Sequence, residues 1–226
     1  GFEMKFYLST KPDEALGNPA LWKKAEKALA MALKENNLAF DMKEKDGAFY
    51  GPKIDVEIKD ALGRSWQLAT IQLDLVMVPA RFDLSYIDEK GKKQKPVVIH
   101  RALLGSFERF IGILIEHFEG AFPLWLSPTQ AVVLPISEKF SDYGEKILRA
   151  LREAGIRAKL SDANETLGKR IREAELLKTP YVLVVGEKEM SANSVNVRHY
   201  RRGQEGEMSI ENLMEKMMLE IKKKAI

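Results

Sequence analysis

In the first half of this 226-residue chain, polar side chains interrupt apolar segments at places where a hydrocarbon would pack without cost. The run VVIHRALLGSFERFIG, residues 97–112, puts His100 at the end of a strand-like stretch and Arg109 inside a helix-like one. At about 100° per residue along 103–118, Leu103, Phe107, Phe110, Ile111, Leu114, Ile115 and Phe118 form a broad apolar arc. Gly105, Arg109, Gly112 and Glu116 gather on the opposite side. Glycine inside a helix costs roughly 1 kcal/mol relative to alanine, so two of them flanking one cation suggest that something approaches that face closely. Two occupants fit: a neighbouring element, with Arg109 paired to Glu116, or an anion such as phosphate, whose oxygens match the guanidinium fork.

Three further features bear on that choice. AFYGPKIDVEI holds a tight corner from which Tyr50 and Lys53 project, before a strand whose Ile54, Val56 and Ile58 face one way; it is either a plain turn or the rim of a site. SWQLATIQLDL carries Gln67, Thr70 and Gln72 in an otherwise apolar strand. Buried amides left unpaired cost about 1–3 kcal/mol each, so a polar ligand, a water or neighbouring backbone must answer them. Strict alternation puts Thr70 and Gln72 on one face and Gln67 on the other, so either a bulge shifts the register or Gln67 stands outside the group. His100 reads either as a hydrogen-bonded residue or as a metal ligand.

The elements that would position these residues fall into two patterns. Residues 19–36 form an amphipathic helix with Leu21, Ala25, Leu29 and Leu33 on its apolar side. Strands follow, joined by the turn DALG, then a hairpin with its turn at 89–92. Consecutive strands with hairpin turns argue for an antiparallel sheet with helices packed on it. Pro123 and Pro128 bracket PLWLSP, which reads as a short extended linker, so we place a boundary near Ser127 and expect domains at 1–127 and 128–226. Beyond it the order strand, helix, strand, helix, strand, strand, helix implies a mixed sheet flanked by helices, an α/β domain. In its SVNVRHYRR segment, alternation turns Val195 and Val197 inward and Asn196, Arg198, Tyr200 and Arg202 outward. That row of amide, guanidinium and phenol groups suits either bulk water or splayed RNA bases and phosphates.

Composition narrows the classes. No stretch of about 18 apolar residues exists to span a bilayer, and residues 1–9 alternate instead of forming a secretory signal. The absence of cysteine excludes disulfides and fits the cytoplasm. A net charge of +3 is small, although the basic excess lies wholly beyond Ser127. The strand-like opening without an initiator methionine leads us to expect a piece of a longer polypeptide.

Taken in order, FYGPKID, WQLATIQLD, RFDLSY and IHRALLGSFERFIG resemble the C-terminal part of the threonyl-tRNA synthetase catalytic domain, and the region after Pro128 resembles that family's anticodon-binding domain. The resemblance covers essentially the whole chain. It implies an α/β (α+β) fold: an incomplete antiparallel sheet of the class II synthetase type, then a smaller mixed-sheet domain. It implies ATP-dependent activation of threonine and its transfer to tRNA(Thr), with ATP used together with Mg2+. Arg109 would contact the ATP phosphates and, with Lys53, serve catalysis. Tyr50, Lys53 and Gln72 would line the threonine and adenylate pocket, with Gln67, Thr70 and Ser106 on the nucleotide side. His100 would be one of three protein ligands to a Zn2+ that reads the threonine hydroxyl. The other two, a cysteine and a histidine, together with two signature motifs, would lie upstream, so this segment alone should not form the adenylate. Asn164, Lys178, Glu189 and Arg198 would meet the anticodon; Lys178 stands where the family has an arginine, which loses the bidentate fork. The complete enzyme would be a homodimer. The alternative is a synthetase-like module that binds RNA without catalysis.

Overall fold

In the computed structural model, which describes residues 2–225, packing divides the chain into two units, Gly1–His117 and Phe118–Ile226. The first unit runs β1 (Met4–Ser9), α1 (Pro19–Glu35), β2 (Phe40–Lys43), β3 (Lys53–Lys59), β4 (Ser65–Asp74), α2 (Met77–Arg81), β5 (Tyr86–Ile87), β6 (Lys93–Gln94), β7 (Val98–Ala102) and α3 (Phe107–His117). Its main sheet has the order β2-β1-β3-β4-β7, with only the β1–β2 pair parallel. β5 and β6 pair separately as a short ribbon, so the expected hairpin exists only around residues 86–94, and β7 leaves it to join β4.

Strand alternation gives the sheet two unlike faces. Phe6, Leu8, Ile54, Ile71 and Leu73 form one, and α1 covers it with Leu29 and Leu33. Asn18 starts that helix by accepting from the Ala20 N–H at 2.8 Å, and Pro19 follows at the first helical position. Trp22, at 1% exposure, takes the buried place expected of Leu21, which lies 36% exposed. α3 covers the far end of the same face with Ile113 and Phe110 against Ile58, Leu68 and Trp66.

The corner before β3 is built on Gly51. Leu73 donates its N–H to the Pro52 carbonyl and Leu75 to the Tyr50 carbonyl, each at 3.0 Å, so pairing with β4 continues through the corner. A Cβ on Gly51 would lie 1.5 Å from the Leu73 carbonyl oxygen, closer than any atom can sit.

The second unit runs β8 (Ala131–Pro135), a 3-10 turn at Glu138–Phe140, α4 (Ser141–Glu153), β9 (Ala158–Leu160), α5 (Leu167–Leu176), β10 (Tyr181–Val185), α6 (Glu187–Ala192), β11 (Ser194–His199), β12 (Gly203–Ser209) and α7 (Ile210–Lys222). The sheet order is β12-β11-β10-β8-β9, parallel at β9–β8–β10 and antiparallel beyond. This is the expected mixed sheet, with α6 and β12 added. α4 and α7 bury Ile147, Leu151, Leu213 and Met217 on one face, and α5 packs Ala174 on the other. PLWLSP is not an extended linker. It turns on itself, with the N–H groups of Leu126 and Ser127 donating to the Pro123 carbonyl, and buries Leu124 in the second unit's core.

The Gly51 geometry yields a stability prediction. Gly51→Ala should destabilise the chain by several kcal/mol, on the order of 3 or more, because backbone must separate to admit one methyl group. Gly155→Ala meets no atom within 4 Å and should cost only the strain of its positive φ of 78°. Chemical denaturation of the two variants checks this; equal midpoints would contradict it.

Candidate functional site

The second face of the first unit's sheet is polar. In register across β1, β3, β4 and β7 stand Ser9 opposite Lys53, Lys53 opposite Gln72, and Gln72 opposite His100; one step along, Asp55 stands opposite Thr70. The register shifts between Val56 and Glu57, where Val56 pairs with Ala69 and Glu57 with Gln67, leaving Leu68 unpaired. That bulge on β4 returns Gln67 to the face of Thr70 and Gln72, as the side chains show: Gln67 Nε2 at 2.5 Å and Thr70 Oγ1 at 3.0 Å both donate to Asp55 Oδ1.

These residues form one continuous row. Gln72 Nε2 donates to Thr70 Oγ1 at 3.3 Å, and Tyr50 Oη donates to Gln72 Oε1 at 2.5 Å. The Tyr50 ring lies 5.7 Å from the His100 ring, and His100 Nε2 is 3.1 Å from Asp74 Oδ2. Asp74 is fully buried and accepts the N–H groups of Val76, Met77 and Val78. Burial pushes its carboxyl up, but the bonds from His100 and from these N–H groups outweigh that and hold it below the usual carboxylate range. Burial, then the Asp74 charge, raises the Tyr50 phenol, so Tyr50 stays a protonated donor. Lys53 Nζ lies 2.8 Å from Asp55 Oδ2 and 3.6 Å from Asp46.

Arg109 sits at the other end of the row. Its Nη1 donates to the Gln67 carbonyl at 3.1 Å and its guanidinium lies 5.7 Å from the Trp66 ring centre, while the residue stays exposed and touches neither Tyr50 nor His100. Glu116 instead faces Arg64, at 3.3 Å. Ser106 Oγ accepts the Arg109 N–H at 3.2 Å and so caps the helix. Three expectations for this helix fail. Gly105 precedes it, at φ +66°, where an added Cβ would press on the Leu68 carbonyl, and no atom lies within 4 Å of a Cβ at Gly112. The apolar arc is mostly in the open, with Leu103, Phe107, Ile111 and Ile115 exposed, because the helix meets the sheet through Ile113.

A tetrahedral zinc centre takes three or four protein ligands. Among the described residues no group of three or more His, Cys, Asp or Glu could hold a metal, so His100 does not make such a centre from this chain's residues alone. The residues that the sequence reading missed are Asp55, Asp74 and Ser9. The first was within reach, because KIDVEIK puts Lys53 and Asp55 on one face by the same alternation that groups Ile54, Val56 and Ile58.

In the second unit, Arg198 Nη2 lies 3.3 Å from Glu175 and lines a cavity of about 380 Å³ with Thr179, Val182, His199 and Tyr200. Asn164 is exposed just before α5. Lys178, at φ +53°, donates to the Glu119 carbonyl. Glu189 Oε2 accepts the Gly186 N–H at 3.0 Å and caps α6. No hydrogen bond or ion pair among the described residues joins any two of these four. The outward row expected of SVNVRHYRR is cut short, since β11 ends at His199 and Arg202 turns back to Tyr181 Oη and Glu205.

Comparison with known proteins places both units. The family described as the tRNA synthetase class II core domain (G, H, P, S and T) matches residues 15–118, and the one described as an anticodon binding domain matches residues 130–219. The chain is thus a class II tRNA synthetase core segment followed by an anticodon-binding domain. It is 50% identical over all 226 residues to a threonine–tRNA ligase of Caldanaerobacter subterraneus, covering 35% of that protein, and 49% identical to threonine–tRNA ligase 2 of Bacillus subtilis, again over 35% of its length. A solved structure described as the RNA-binding domain of threonyl-tRNA synthetase from Cryptosporidium parvum superposes with a TM-score of 0.86 at 42% identity, over 97% of this chain and 55% of that one. The chain is similar along its whole length to these threonine–tRNA ligases, and it spans about a third of the length of these curated relatives.

His199 gives this unit a pH dependence. It is 8% exposed, its Nδ1 accepts the N–H groups of Arg201 and Arg202, and burial, then the Arg202 charge, pushes its pKa down to about 4. The unfolded chain takes up this proton near pH 6.5 and the folded unit only near 4, so the contribution is complete above pH 6.5 and is lost as pH falls toward 4. Stability of the second unit should drop by on the order of 3 kcal/mol over that window, and His199→Asn should flatten the drop. A wild-type profile no steeper than the variant's would contradict this.

Proposed function

We propose that this chain supplies half of the adenylation site and the anticodon-reading domain of a threonine–tRNA ligase. The observation that carries this reading is the row from Arg109 through Gln67, Thr70, Gln72 and Tyr50 to His100. It lies on a sheet face free of apolar side chains at those positions and spans roughly 16 Å along β4 at about 3.3 Å per residue. An extended nucleotide ester needs such a row: a cation at one end, amides and a hydroxyl along it, and a phenol–imidazole pair at the other.

In that enzyme the threonine carboxylate attacks the α-phosphorus of Mg2+-bound ATP. A mixed anhydride forms and pyrophosphate leaves. Arg109 offsets the negative charge that grows on the phosphoryl oxygens, a contact worth most in the transition state. Gln67, Thr70 and Ser106 hold the nucleotide, while Tyr50, Gln72 and Lys53 hold the amino acid and its new anhydride. A terminal ribose hydroxyl of tRNA(Thr) then attacks the carbonyl carbon and AMP departs. His100 would be the ligand this chain offers to a zinc that reads the threonine hydroxyl, with the other ligands supplied from outside these residues. The complete enzyme acts as a homodimer in the cytoplasm; no helix among the described residues is long and apolar enough to cross a membrane. Asn164, Lys178, Glu189 and Arg198 read the anticodon.

In the complete ligase, Arg109→Ala should lower threonine-dependent pyrophosphate exchange by about a hundredfold, in line with loss of one preorganised charge contact; an ordinary rate removes Arg109 from the reaction. The 226-residue chain should bind tRNA(Thr) more tightly than the same tRNA with an altered anticodon at equal salt, and Arg198→Ala should narrow the difference. Equal binding of the two tRNAs would leave charge attraction alone.

A further inference from the structure

We infer that Asp55 is the positioning residue that registers the nucleotide side of the site against its amino-acid side. This inference rests on the functional reading just given. Asp55 is 1% exposed, and its two oxygens divide their donors by role. Oδ1 accepts from Gln67 Nε2 at 2.5 Å and from Thr70 Oγ1 at 3.0 Å, the two nucleotide-side residues. Oδ2 faces Lys53 Nζ at 2.8 Å, the cation of the amino-acid side, and accepts from Ser9 Oγ at 3.0 Å.

A plain salt bridge would need Lys53 alone. A buried carboxylate is tolerated only when its lone pairs are answered, and here three of the four groups that answer them are side chains that would touch substrate. The bond continues to Arg109, whose guanidinium takes the backbone carbonyl of the same Gln67. Asp55 itself is too enclosed to meet a substrate. It acts through Lys53, Gln67 and Thr70, fixing their rotamers before ATP or threonine arrives, so that neither substrate must order them on binding.

Loss of this carboxylate should therefore be felt by both substrates together. Asp55→Asn keeps the volume and can still accept on one side, but it turns an amide N–H toward Lys53 and Ser9. In the complete ligase, KM for ATP and KM for threonine should each rise by roughly tenfold, the scale of one coupled contact, and kcat should fall. In a Lys53→Ala background, adding Asp55→Asn should cost markedly less at the threonine KM than it does alone, while its effect at the ATP KM persists. A merely structural carboxylate would give additive losses. Should Asp55→Asn not fold, Asp55→Glu carries the test, since it keeps the charge but moves it by one methylene and must raise both KM values. Unchanged KM values in either folded variant, or additive effects in the cycle, overturn the inference. A wild-type ligase without threonine-dependent exchange would overturn the functional reading instead, and the two failures are distinct.

Discussion

A strand offers each side chain only two directions, and the first unit's sheet depends on keeping those directions chemically separate. Its apolar direction is filled by α1 and α3, which tie down three of the five strands through Leu8, Ile54, Ile71, Ile58 and Leu68. The other direction is then free to carry lysine, aspartate, threonine, glutamine and histidine without cost to the core. Such a face is stable only if its half-buried polar groups bond one another, and here they do: Asp55 and Asp74, both almost fully buried, collect donors from the strands on either side and from the start of α2. The bonds that make the face tolerable to folding are the same ones that hold its side chains in place for a ligand.

The second unit uses its polar residues differently. Arg202 looks available by alternation, yet it joins Tyr181, Glu205 and Glu220, and its neighbour Arg201 bonds the Ala121 carbonyl. Arg198 makes one long contact with a half-exposed glutamate, an arrangement worth little in water and easily exchanged for another anion. Within SVNVRHYRR, the cations near the end of the run thus support the fold, while Arg198, loosely held, lines a cavity with Thr179 and Val182.

This contrast also marks what could be read beforehand. Periodicity identified the mixed sheet of the second unit and the helices that flank it, because YVLVV and AVVLP are buried on both faces and admit no other reading. It began the helix around Arg109 too early, because Leu103 continues the apolar spacing although Gly105 takes a positive φ and Ser106 caps. It read PLWLSP as extended, because proline reports on its own backbone and not on Leu124, whose burial is a tertiary fact. At the site, amide and hydroxyl residues stood out as anomalies in an apolar strand. Asp55 and Asp74 did not, because a carboxylate in an alternating strand or before a helix looks like an ordinary surface residue until its neighbours are known.

The bulge at Leu68 ties these observations together. Without an extra residue there, Gln67 would point to the apolar face, where its amide would have no acceptor, and Asp55 would lose a donor. With it, the Gln67 side chain joins the row while its carbonyl lies on the stretch of β4 beyond β7, whose pairing covers only residues 70–74. An unpaired carbonyl at a sheet edge seeks a donor, and Arg109 supplies it. Gly105 comes within reach of the same edge, against the Leu68 carbonyl, and only a residue at home with φ +66° can make that approach. One unpaired residue in β4 therefore decides two things at once: which amide faces the ligand, and where the guanidinium of the following helix comes to rest.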